Sequence, residues 1–247
     1  MIVPTEKVRE SLENYRINKD IEVIPTGINL DKFKVRMAED EKLRLKAELG
    51  IAGENKVILF AGRLGMEKKI DEILLSLPPL IEKHKELIML IVGDGPHRYS
   101  LEQTVKRLNI GGHVIFTGMI PPDRIARYYQ IADIFVSASE SETQGLTYIE
   151  ALANGIPEVC KYDKCLEGVL INGYNGFAYE RPQEFIEDIN TLLEDHDLRS
   201  RMSVNAELSA AKFGAWAFAR TVESLYHDVI VKSDYDEEDV KECYGYV

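Results

Sequence analysis

Two glutamates, Glu142 and Glu150, lie on either side of a turn that could bind both an anion and sugar hydroxyl groups. The stretch Ile134–Pro157 predicts a short apolar strand, a polar loop and then a helix that begins at about Gly145. The backbone N–H groups of residues 144–146 would be unpaired at the positive end of the helix dipole, where anions bind. Donors for phosphate beside carboxylate acceptors for hydroxyl groups would suit a sugar nucleotide.

The same two glutamates are open to other interpretations. They could form an acid/base pair for glycoside hydrolysis, in which the separation of the two carboxyl groups sets the stereochemistry. They could instead accept hydrogen bonds from hydroxyl groups without transferring a proton. In the least specific interpretation, Glu142 only complements the helix dipole and Glu150 forms a surface ion pair. Their spacing does not decide among these.

Two cations, Arg63 and Lys68, follow the predicted strand Lys56–Gly62. The guanidinium group could hold a diphosphate through two parallel hydrogen bonds, and the ammonium group could hold it as a point charge. The alternative is a solvated turn without such a role, because most arginines and lysines are surface residues. Because the two cations lie at the carboxyl end of a strand in a net acidic chain, a diphosphate site stays open as an interpretation beside the solvated turn.

A Gly-Asp-Gly-Pro turn at 93–96 follows the next predicted strand, Leu87–Val92. It carries only part of the dinucleotide-binding fingerprint, because Arg98 stands where the third glycine would be. A tight turn before a helix, with Pro96 in its first turn, is the better interpretation. We nevertheless expect this turn to line the pocket.

Apolar strands alternate with helices along the chain. The predicted strands are Lys56–Gly62, Leu87–Val92, Val114–Phe116, Ile134–Ser137, a strand around Val159, and Phe177–Tyr179. This alternation predicts a parallel sheet covered on both faces, which is a doubly wound α/β fold. Ligands of such sheets bind outside the carboxyl ends of the strands. Arg63 with Lys68, the turn at 93–95 and the loop 142–145 should therefore meet in one crevice.

The predicted helices include some unusual residues. The helices are Glu6–Tyr15, Asp31–Gly50, Ile70–His84, Tyr99–Leu108, Pro122–Ile131, Pro182–Leu193, Asp197–Ser209 and Trp216–Val231. Pro78 and Pro79 should kink or split the third of these.

Two features of the predicted strands are also unusual. A strand at Ile21–Pro25 has no earlier element to pair with. Glu158 puts a carboxylate where a strand should be apolar, which suggests either an edge position or pairing with a cation that the sequence does not identify.

Composition and charge limit the functional classes. The chain has 247 residues, 45% of them apolar, and a formal net charge of −12, which argues against a nucleic-acid partner and a polybasic membrane anchor. No apolar run could span a bilayer, and no signal peptide is recognised. Cys160, Cys165 and Cys243 form neither a disulfide framework nor a metal site, which predicts free thiols in a reducing cytosol. We expect neither metal nor covalent catalysis.

Six segments in a fixed order resemble one enzyme family. They are VIPTGINLDKF (Val23–Phe33), ILFAGRLGMEKK (Ile58–Lys69), LIVGDGP (Leu90–Pro96), VIFTG (Val114–Gly118), ADIFVSASESETQGLTYIEALANGIP (Ala132–Pro157) and NGYNGFAYE (Asn172–Glu180). Together they are similar to the C-terminal, donor-binding domain of the retaining glycosyltransferases of family four, which have the GT-B fold. The segment SETQGLTYIEA further resembles the corresponding segment of bacterial diacylglycerol glucosyltransferases, whose product is a membrane glycolipid. The resemblance implies a Rossmann-like domain that forms one half of a GT-B fold.

The resemblance implies a role for each residue of the site. Arg63 and Lys68 would bind the donor diphosphate and stabilise the charge of the leaving group, helped by N–H groups near Gly145, and Glu142 would complete the catalytic set. Glu142 would bind hydroxyl groups of the transferred sugar and Glu150 those of the ribose. The donor-binding residues implied in this way are Gly62, Arg63, Lys68, Gly93, Met119, Glu142, Thr143, Gln144, Gly145, Leu146 and Glu150.

The nucleotide base would lie near Phe116–Ile120, held largely by backbone groups. The donor would be a nucleotide sugar, UDP-glucose in our expectation, with no further cofactor and no metal. Two departures from the family pattern are present. Thr143-Gln144 stands where many members have Gly-Phe, and Glu158 stands where Val or Ile is usual.

The resemblance also implies a domain organisation. Residues 1–30 would be the end of an absent N-terminal acceptor domain with its linker, and 31–210 the donor-binding domain. Residues 211–232 would be a helix that packs back on the N-terminal domain, and 233–247 a frayed or disordered acidic tail. We expect a cytoplasmic fragment that is inactive alone. The longer protein, peripheral on the cytoplasmic membrane face, would transfer a hexose from a UDP-sugar to a diacylglycerol-type lipid with retention.

Two alternatives stay open. A sugar-nucleotide epimerase is built on the same two-domain plan, and analysis of the product would separate it from a transferase. A non-enzymatic nucleotide-binding or receiver-like α/β module is the other alternative. A receiver needs acidic residues at its strand ends, whereas the strand Lys56–Gly62 is followed by Arg63.

Overall fold

The computed structural model describes residues 1–17 and 19–243, with side chains up to residue 231. In chain order its elements are β1 (Ile2–Val3), α1 (Glu6–Asn14), β2 (Glu22–Val23), α2 (Asp31–Lys34), α3 (Glu39–Glu48), β3 (Lys56–Ala61), α4 (Ile70–Lys83), β4 (Leu87–Val92), α5 (Arg98–Arg107), β5 (Val114–Gly118), α6 (Ile125–Tyr129), β6 (Ile134–Ser137), α7 (Leu146–Ala153), β7 (Glu158–Lys161), β8 (Gly176–Tyr179), α8 (Pro182–Glu194), α9 (His196–Ala210) and α10 (Ala215–Cys243).

The chain divides into two compact units. One consists of Met1–Asn29 with Lys212–Val247, and the other is Leu30–Ala211. The second unit covers the residues of the donor-binding domain predicted at 31–210, whose function stays a prediction. The functions assigned to the flanking segments stay predictions.

The larger unit is built on a six-stranded parallel sheet. Its strand order is β5-β4-β3-β6-β7-β8, and all neighbours pair in parallel. The chain moves outwards from β3 in one direction and then starts again at β6 on the other side. β3 and β6 therefore meet at a topological switch point, where doubly wound sheets bind ligands. The predicted doubly wound α/β fold is confirmed.

Helices cover both faces of this sheet. On one face, side chains from the strands and from α4, α5 and α8 form one buried cluster that includes Ile58, Leu77 and Phe185. In this layer α8 contacts β7, β8 and α4, and α4 also contacts α5. On the other face, Phe135 of β6 packs against the rings of Tyr129 in α6 and Tyr148 in α7. Strands buried on both faces require apolar side chains at every position, which explains their unbroken apolar runs.

Helix α4 is not split by its two prolines. It runs continuously from Ile70 to Lys83 with Pro78 and Pro79 inside it. The prolines remove two backbone donors, but the helix presents a fully buried apolar face that includes Leu74 and Leu80. Packing of this face against the sheet holds the helix together.

Two other predicted helices differ from the structure. The helix expected at Asp31–Gly50 is divided into α2 and α3, because the side chain of Gln130 bonds the backbone between them. Its amide donates to Val35 O at 2.8 Å and accepts from Met37 N–H at 2.7 Å. The helix expected at Pro122–Ile131 is confined to α6.

The smaller unit corrects two predictions. The strand near Ile21–Pro25 does have a partner, because Val23 of β2 pairs in parallel with Val3 of β1. Helix α10 continues to Cys243, so the expected disordered tail is wrong for 233–243. No proline or glycine follows Ala215 within the helix to end it. Residues 244–247 lie outside the described part of the chain.

The helix α10 carries exposed apolar side chains. Trp216 is 82% exposed, and Tyr226 and Ile230 are each more than half exposed. Across the described residues, no helix combines the length and the apolar content that a bilayer crossing requires.

Candidate functional site

The carboxyl ends of β3 and β6 lie side by side at the switch point. Arg63 follows the first of these strands and Glu142 follows the second. Two cavities open at this edge of the sheet, and both are lined by Gly62, Arg63 and Thr147. The strand ends therefore meet at one edge of the sheet, in two cavities with a partly shared lining rather than in the single crevice that the sequence predicts.

We call the first cavity the lysine cavity. It has a volume of about 350 Å³ and is lined by residues that follow β3 and by the loop that follows β6. The Lys68 ammonium contacts Oε1 of Glu142, and these two side chains are only 19% and 18% exposed. The Arg63 guanidinium, 65% exposed, donates to Oε1 of Glu67 at 2.6 Å. A hydrogen bond from its own backbone and the charge of Arg63 lower the pKa of Glu67.

The next lysine binds a different part of the same loop. Lys69 has a left-handed backbone conformation, with φ 48° and ψ 34°, and its ammonium contacts Glu140. Lys161, at the end of β7, lies 4.0 Å from Glu140 and 2.8 Å from Glu72 of α4. The loop between β6 and α7 is therefore tied to the segment after β3 at positions 140 and 142.

Helix α7 begins at the wall of the lysine cavity. Its N-cap is Gly145, which has φ 67° and ψ 66° and provides no side-chain cap. A Cβ atom at Gly145 would lie 2.2 Å from the ring of Tyr148. That ring is held edge-on against Phe135, and its hydroxyl lies 2.9 Å from Oγ of Ser137. The position requires glycine, and the start of the helix is left accessible to an anion.

We call the second cavity the tyrosine cavity. It has a volume of about 330 Å³, and Met119, Ile120, Tyr129 and Glu150 are among the residues that line it. Oε2 of Glu150 accepts a hydrogen bond from the Tyr129 hydroxyl at 2.9 Å. Burial raises the pKa of Glu150, while the Tyr129 hydrogen bond and the charge of Lys32 oppose that increase.

The floor of the tyrosine cavity is backbone. Gly93 has φ 135°, and its N–H donates to Gly118 O at 3.0 Å. A Cβ atom at Gly93 would lie 1.9 Å from Gly62 O, so the chain after β4 can approach the chain after β3 only without a side chain. The Gly62 N–H in turn donates to Val92 O at 2.9 Å.

Most of the predicted donor-binding residues line one of the two cavities. These are Gly62, Arg63, Lys68, Gly93, Met119, Glu142, Gly145, Leu146 and Glu150. Thr143 and Gln144 line neither, and the side chain of Gln144 is buried at 5% exposure. The binding roles of the whole set stay predictions.

Several lining residues were not predicted from the sequence, and three of them bear on the chemistry of the site. Thr147 lines both cavities, Glu67 lines the lysine cavity and Tyr129 lines the tyrosine cavity. Glu67 is four residues after Arg63, but Arg63 lies outside the short helical turn Met66–Lys68, so the spacing rule for ion pairs on helices does not identify this pair. Tyr129 carries no such signal either, because its partner Glu150 lies on another helix.

Both interpretations considered for Glu158 are wrong. It lies on β7, which is an interior strand between β6 and β8, and its side chain is fully buried. Neither carboxyl oxygen has a hydrogen-bond partner among the described residues. Burial raises the pKa of Glu158 well above its usual value, so this side chain is held as a neutral acid.

The described residues include no group of three or more His, Cys, Asp or Glu side chains placed to hold a metal ion. Metal independence stays a prediction. Cys160 and Cys165 are buried free thiols, and the side chain of Cys243 lies outside the described part of the chain.

Comparison with known proteins decides the family. The family model described as glycosyl transferases group 1 matches residues 41–209. The chain belongs to the group 1 glycosyl transferases. Two curated relatives are each named alpha-monoglucosyldiacylglycerol synthase. The Streptococcus pneumoniae protein is 33% identical over 249 aligned residues, covering 98% of this chain and 55% of the relative. The Acholeplasma laidlawii protein is 30% identical over 234, covering 94% and 59%.

The chain spans a little over half the length of those two relatives. Among solved structures, Anabaena HepE in complex with UDP matches with a TM-score of 0.81 and 21% identity, covering 92% of this chain and 63% of that one. Identity at this level shows the fold alone. The predicted family and its GT-B-type α/β fold are confirmed, whereas retention and a C-terminal position in a longer protein stay predictions.

Proposed function

We propose that this chain is the donor-binding half of a hexosyltransferase that transfers glucose from UDP-glucose to a diacylglycerol-type lipid with retention. The observation that carries the proposal is the distribution of charges over two cavities that share Gly62, Arg63 and Thr147 in their linings. Lys68, Glu142 and the N-terminus of α7 line the lysine cavity, and Glu150 lines the tyrosine cavity. Sugar and diphosphate would then lie in the lysine cavity and the nucleoside in the tyrosine cavity.

The cations would act on the diphosphate. Arg63 and Lys68 are each paired with a carboxylate, and a diphosphate with higher negative charge would compete for both. The N-terminus of α7 at Gly145 would add backbone donors. These groups would stabilise the charge that develops as the nucleotide leaves, and each such donor contributes about 10²–10³-fold in rate.

The carboxylates would recognise hydroxyl groups. Once the diphosphate takes Lys68, Glu142 can accept from hydroxyl groups of the transferred sugar. Glu150 would accept from the ribose, with the base near Met119 and Ile120. Neither glutamate is required to transfer a proton in this scheme.

The proposed acceptor and location come from the relatives. The two curated relatives are named for the synthesis of monoglucosyldiacylglycerol, and this chain matches a little over half of each. We place the acceptor site outside this chain, and the whole protein on the cytoplasmic face of a membrane.

Calorimetry of UDP and UDP-glucose with this chain tests the donor site. We expect binding by the wild-type chain and its loss in the double variant Arg63→Ala, Lys68→Ala. The matched control is Lys34→Ala with Arg44→Ala, which removes two cations that are 73% and 72% exposed and also paired with nearby carboxylates. No binding by the wild-type chain, or equal binding by both double variants, contradicts the proposal.

Product analysis with the full-length protein tests the reaction. We expect an α-glucosyl lipid from UDP-glucose and diacylglycerol, and release of UDP. An epimerised sugar nucleotide formed without an acceptor would instead support the epimerase alternative.

A further inference from the structure

Tyr129 is a fully buried tyrosine that lines the tyrosine cavity. Its ring is held on two sides, edge-on by Phe33 at 6.3 Å between centroids and at a tilt by Phe135 at 6.2 Å. Rings packed on both sides leave the side chain little rotational freedom. The position of the hydroxyl is therefore set by the core.

The hydroxyl bonds one oxygen of Glu150 and leaves the other available. The Tyr129 O–H donates to Oε2 of Glu150 at 2.9 Å. A carboxylate on a helix can rotate about its side-chain bonds, and a bond to one oxygen restricts that rotation. Oε1 is then oriented to accept a hydrogen bond from a ligand in the cavity.

The chemistry of tyrosine suits this position. Burial, the negative charge of Glu150 and the hydrogen bond to it raise the pKa of Tyr129 well above its usual value, so the hydroxyl stays protonated and donates. A neutral donor does not compete for an anionic ligand, and the bond can persist when a nucleotide binds.

We propose that Tyr129 is a positioning residue that orients Glu150 for the ribose hydroxyl groups of the nucleotide. This inference rests on the proposed function, since it assumes that Glu150 faces the ribose. Tyr129 itself acts only through Glu150. It is a residue that sets selectivity for a ribonucleotide and that contributes nothing to phosphate binding.

A ligand-deletion cycle tests the inference. We compare UDP with 2′,3′-dideoxy-UDP on the wild-type chain and on Tyr129→Phe, which removes only the hydroxyl. Loss of a hydrogen bond to a charged group predicts roughly tenfold weaker binding of UDP by Tyr129→Phe. The same variant should bind 2′,3′-dideoxy-UDP within about twofold of the wild-type affinity, because the hydroxyl groups that Glu150 would bind are absent.

Two variants supply controls. Tyr179→Phe removes the hydroxyl of a buried tyrosine on the opposite face of the sheet, where its ring packs against Phe185, and should bind both nucleotides like the wild-type chain. In a Glu150→Gln background, Tyr129→Phe should cause little further loss of UDP binding, because the group it orients has already changed.

The dependence of UDP affinity on pH gives a second readout, which would not change if Tyr129 had a purely structural role. The Tyr129 hydrogen bond lowers the pKa of Glu150. In Tyr129→Phe, the loss of UDP affinity on acidification should therefore begin at higher pH than in the wild-type chain. The other charged groups near Glu150 are Lys32 on α2 and, in the same cavity, Arg63 and Asp94. They are identical in both proteins.

Failure of this inference differs from failure of the proposed function. If the wild-type chain binds no UDP, the proposed function fails. If it binds UDP but Tyr129→Phe weakens UDP and 2′,3′-dideoxy-UDP equally, or weakens neither, the positioning role is overturned and the donor site stands. An unshifted pH profile in Tyr129→Phe also overturns it.

Discussion

The two cavities hold their carboxylates in different ways. Glu142 in the lysine cavity is paired with the ammonium of Lys68, whereas Glu150 in the tyrosine cavity is bonded by the neutral hydroxyl of Tyr129. An ion pair between a cation and a carboxylate is open to exchange when a more highly charged anion arrives. A bond from a buried phenol has no such competitor. Under the proposed function, the lysine cavity would rearrange when the donor binds, whereas the tyrosine cavity would keep its hydrogen bond.

A third carboxyl group shows the limit of this comparison. Glu158 has neither an ammonium nor a hydroxyl partner among the described residues, and it is fully buried. Burial alone raises the pKa of this group well above its usual value. The partner changes from a charge at Glu142 to a hydroxyl dipole at Glu150 to none at Glu158, and burial raises the pKa of Glu150 and of Glu158.

The largest expected effect is a loss of transfer rate when Lys68 is changed, and its neighbour Lys69 serves as the control. In the full-length protein, Lys68→Gln should lower kcat by about 10²–10³-fold, because an ammonium at the diphosphate is lost. Lys69→Gln is the matched control, since Lys69 contacts Glu140 and does not line either cavity. Steady-state transfer rates measure both. Equal losses in the two variants would contradict the assignment of Lys68 to the diphosphate.

The next effect concerns the wall of the lysine cavity. Gly145→Ala should lower the free energy of unfolding by about 1–3 kcal/mol and weaken UDP binding, because the new Cβ meets the Tyr148 ring at a positive φ. Gly173→Ala also has a positive φ but has no atom within 4 Å of the new Cβ, so it should cost only about 1–2 kcal/mol and leave binding unchanged. Urea unfolding and calorimetry measure the two quantities.

Removal of the unpaired acid should stabilise the protein. The pKa of Glu158 is raised in the folded state, so below the unfolded pKa of about 4.3 both states hold the proton and ionisation has no cost. Above that pH the unfolded state releases the proton while the folded state keeps it, and stability falls until the folded pKa is reached. Glu158→Gln should remove this pH dependence, and its advantage over the wild-type chain should grow as the pH rises above about 4.3.

Glu158→Val goes one step further, because it also removes the unsatisfied polar group. We expect a gain of about 1–3 kcal/mol over the wild-type chain at neutral pH. Urea unfolding at several pH values measures both variants. A loss of stability at neutral pH in both would show that Glu158 has a partner that its surroundings do not reveal.

The smallest effect tests the exposed pair in the lysine cavity. Glu67→Gln frees Arg63 from its carboxylate partner, so a diphosphate no longer has to displace it. Exposed ion pairs contribute little, and the affinity for UDP should rise by less than about fivefold. Calorimetry at low and high salt checks this, since the gain should shrink as salt screens the pair. A loss of affinity would show that Glu67 helps to bind the ligand.

The strands and the site edge could be predicted from the sequence because local patterns determine them. β4 and β6 have the predicted bounds, Leu87–Val92 and Ile134–Ser137, since each is an unbroken apolar run that ends at a polar or glycine-containing turn. Parallel pairing then brings the residues after β3 and β6 to one edge. These steps need no knowledge of side-chain contacts.

The remaining features depend on contacts between distant residues. Gln130 divides a predicted helix by bonding the backbone around Val35, and Tyr129 bonds Glu150 across two helices. α4 stays one continuous helix through Pro78 and Pro79 because its apolar face is buried. In each case tertiary packing outweighs a local preference, which a pattern along the chain cannot show.

The consecutive lysines after β3 give the loop that carries Glu142 two separate anchors. Lys68 contacts Glu142, and Lys69 contacts Glu140. Under the proposed function, a diphosphate that draws Lys68 away from Glu142 would leave the contact between Lys69 and Glu140 in place. The loop would then stay attached to the segment after β3 while Glu142 becomes available to the transferred sugar.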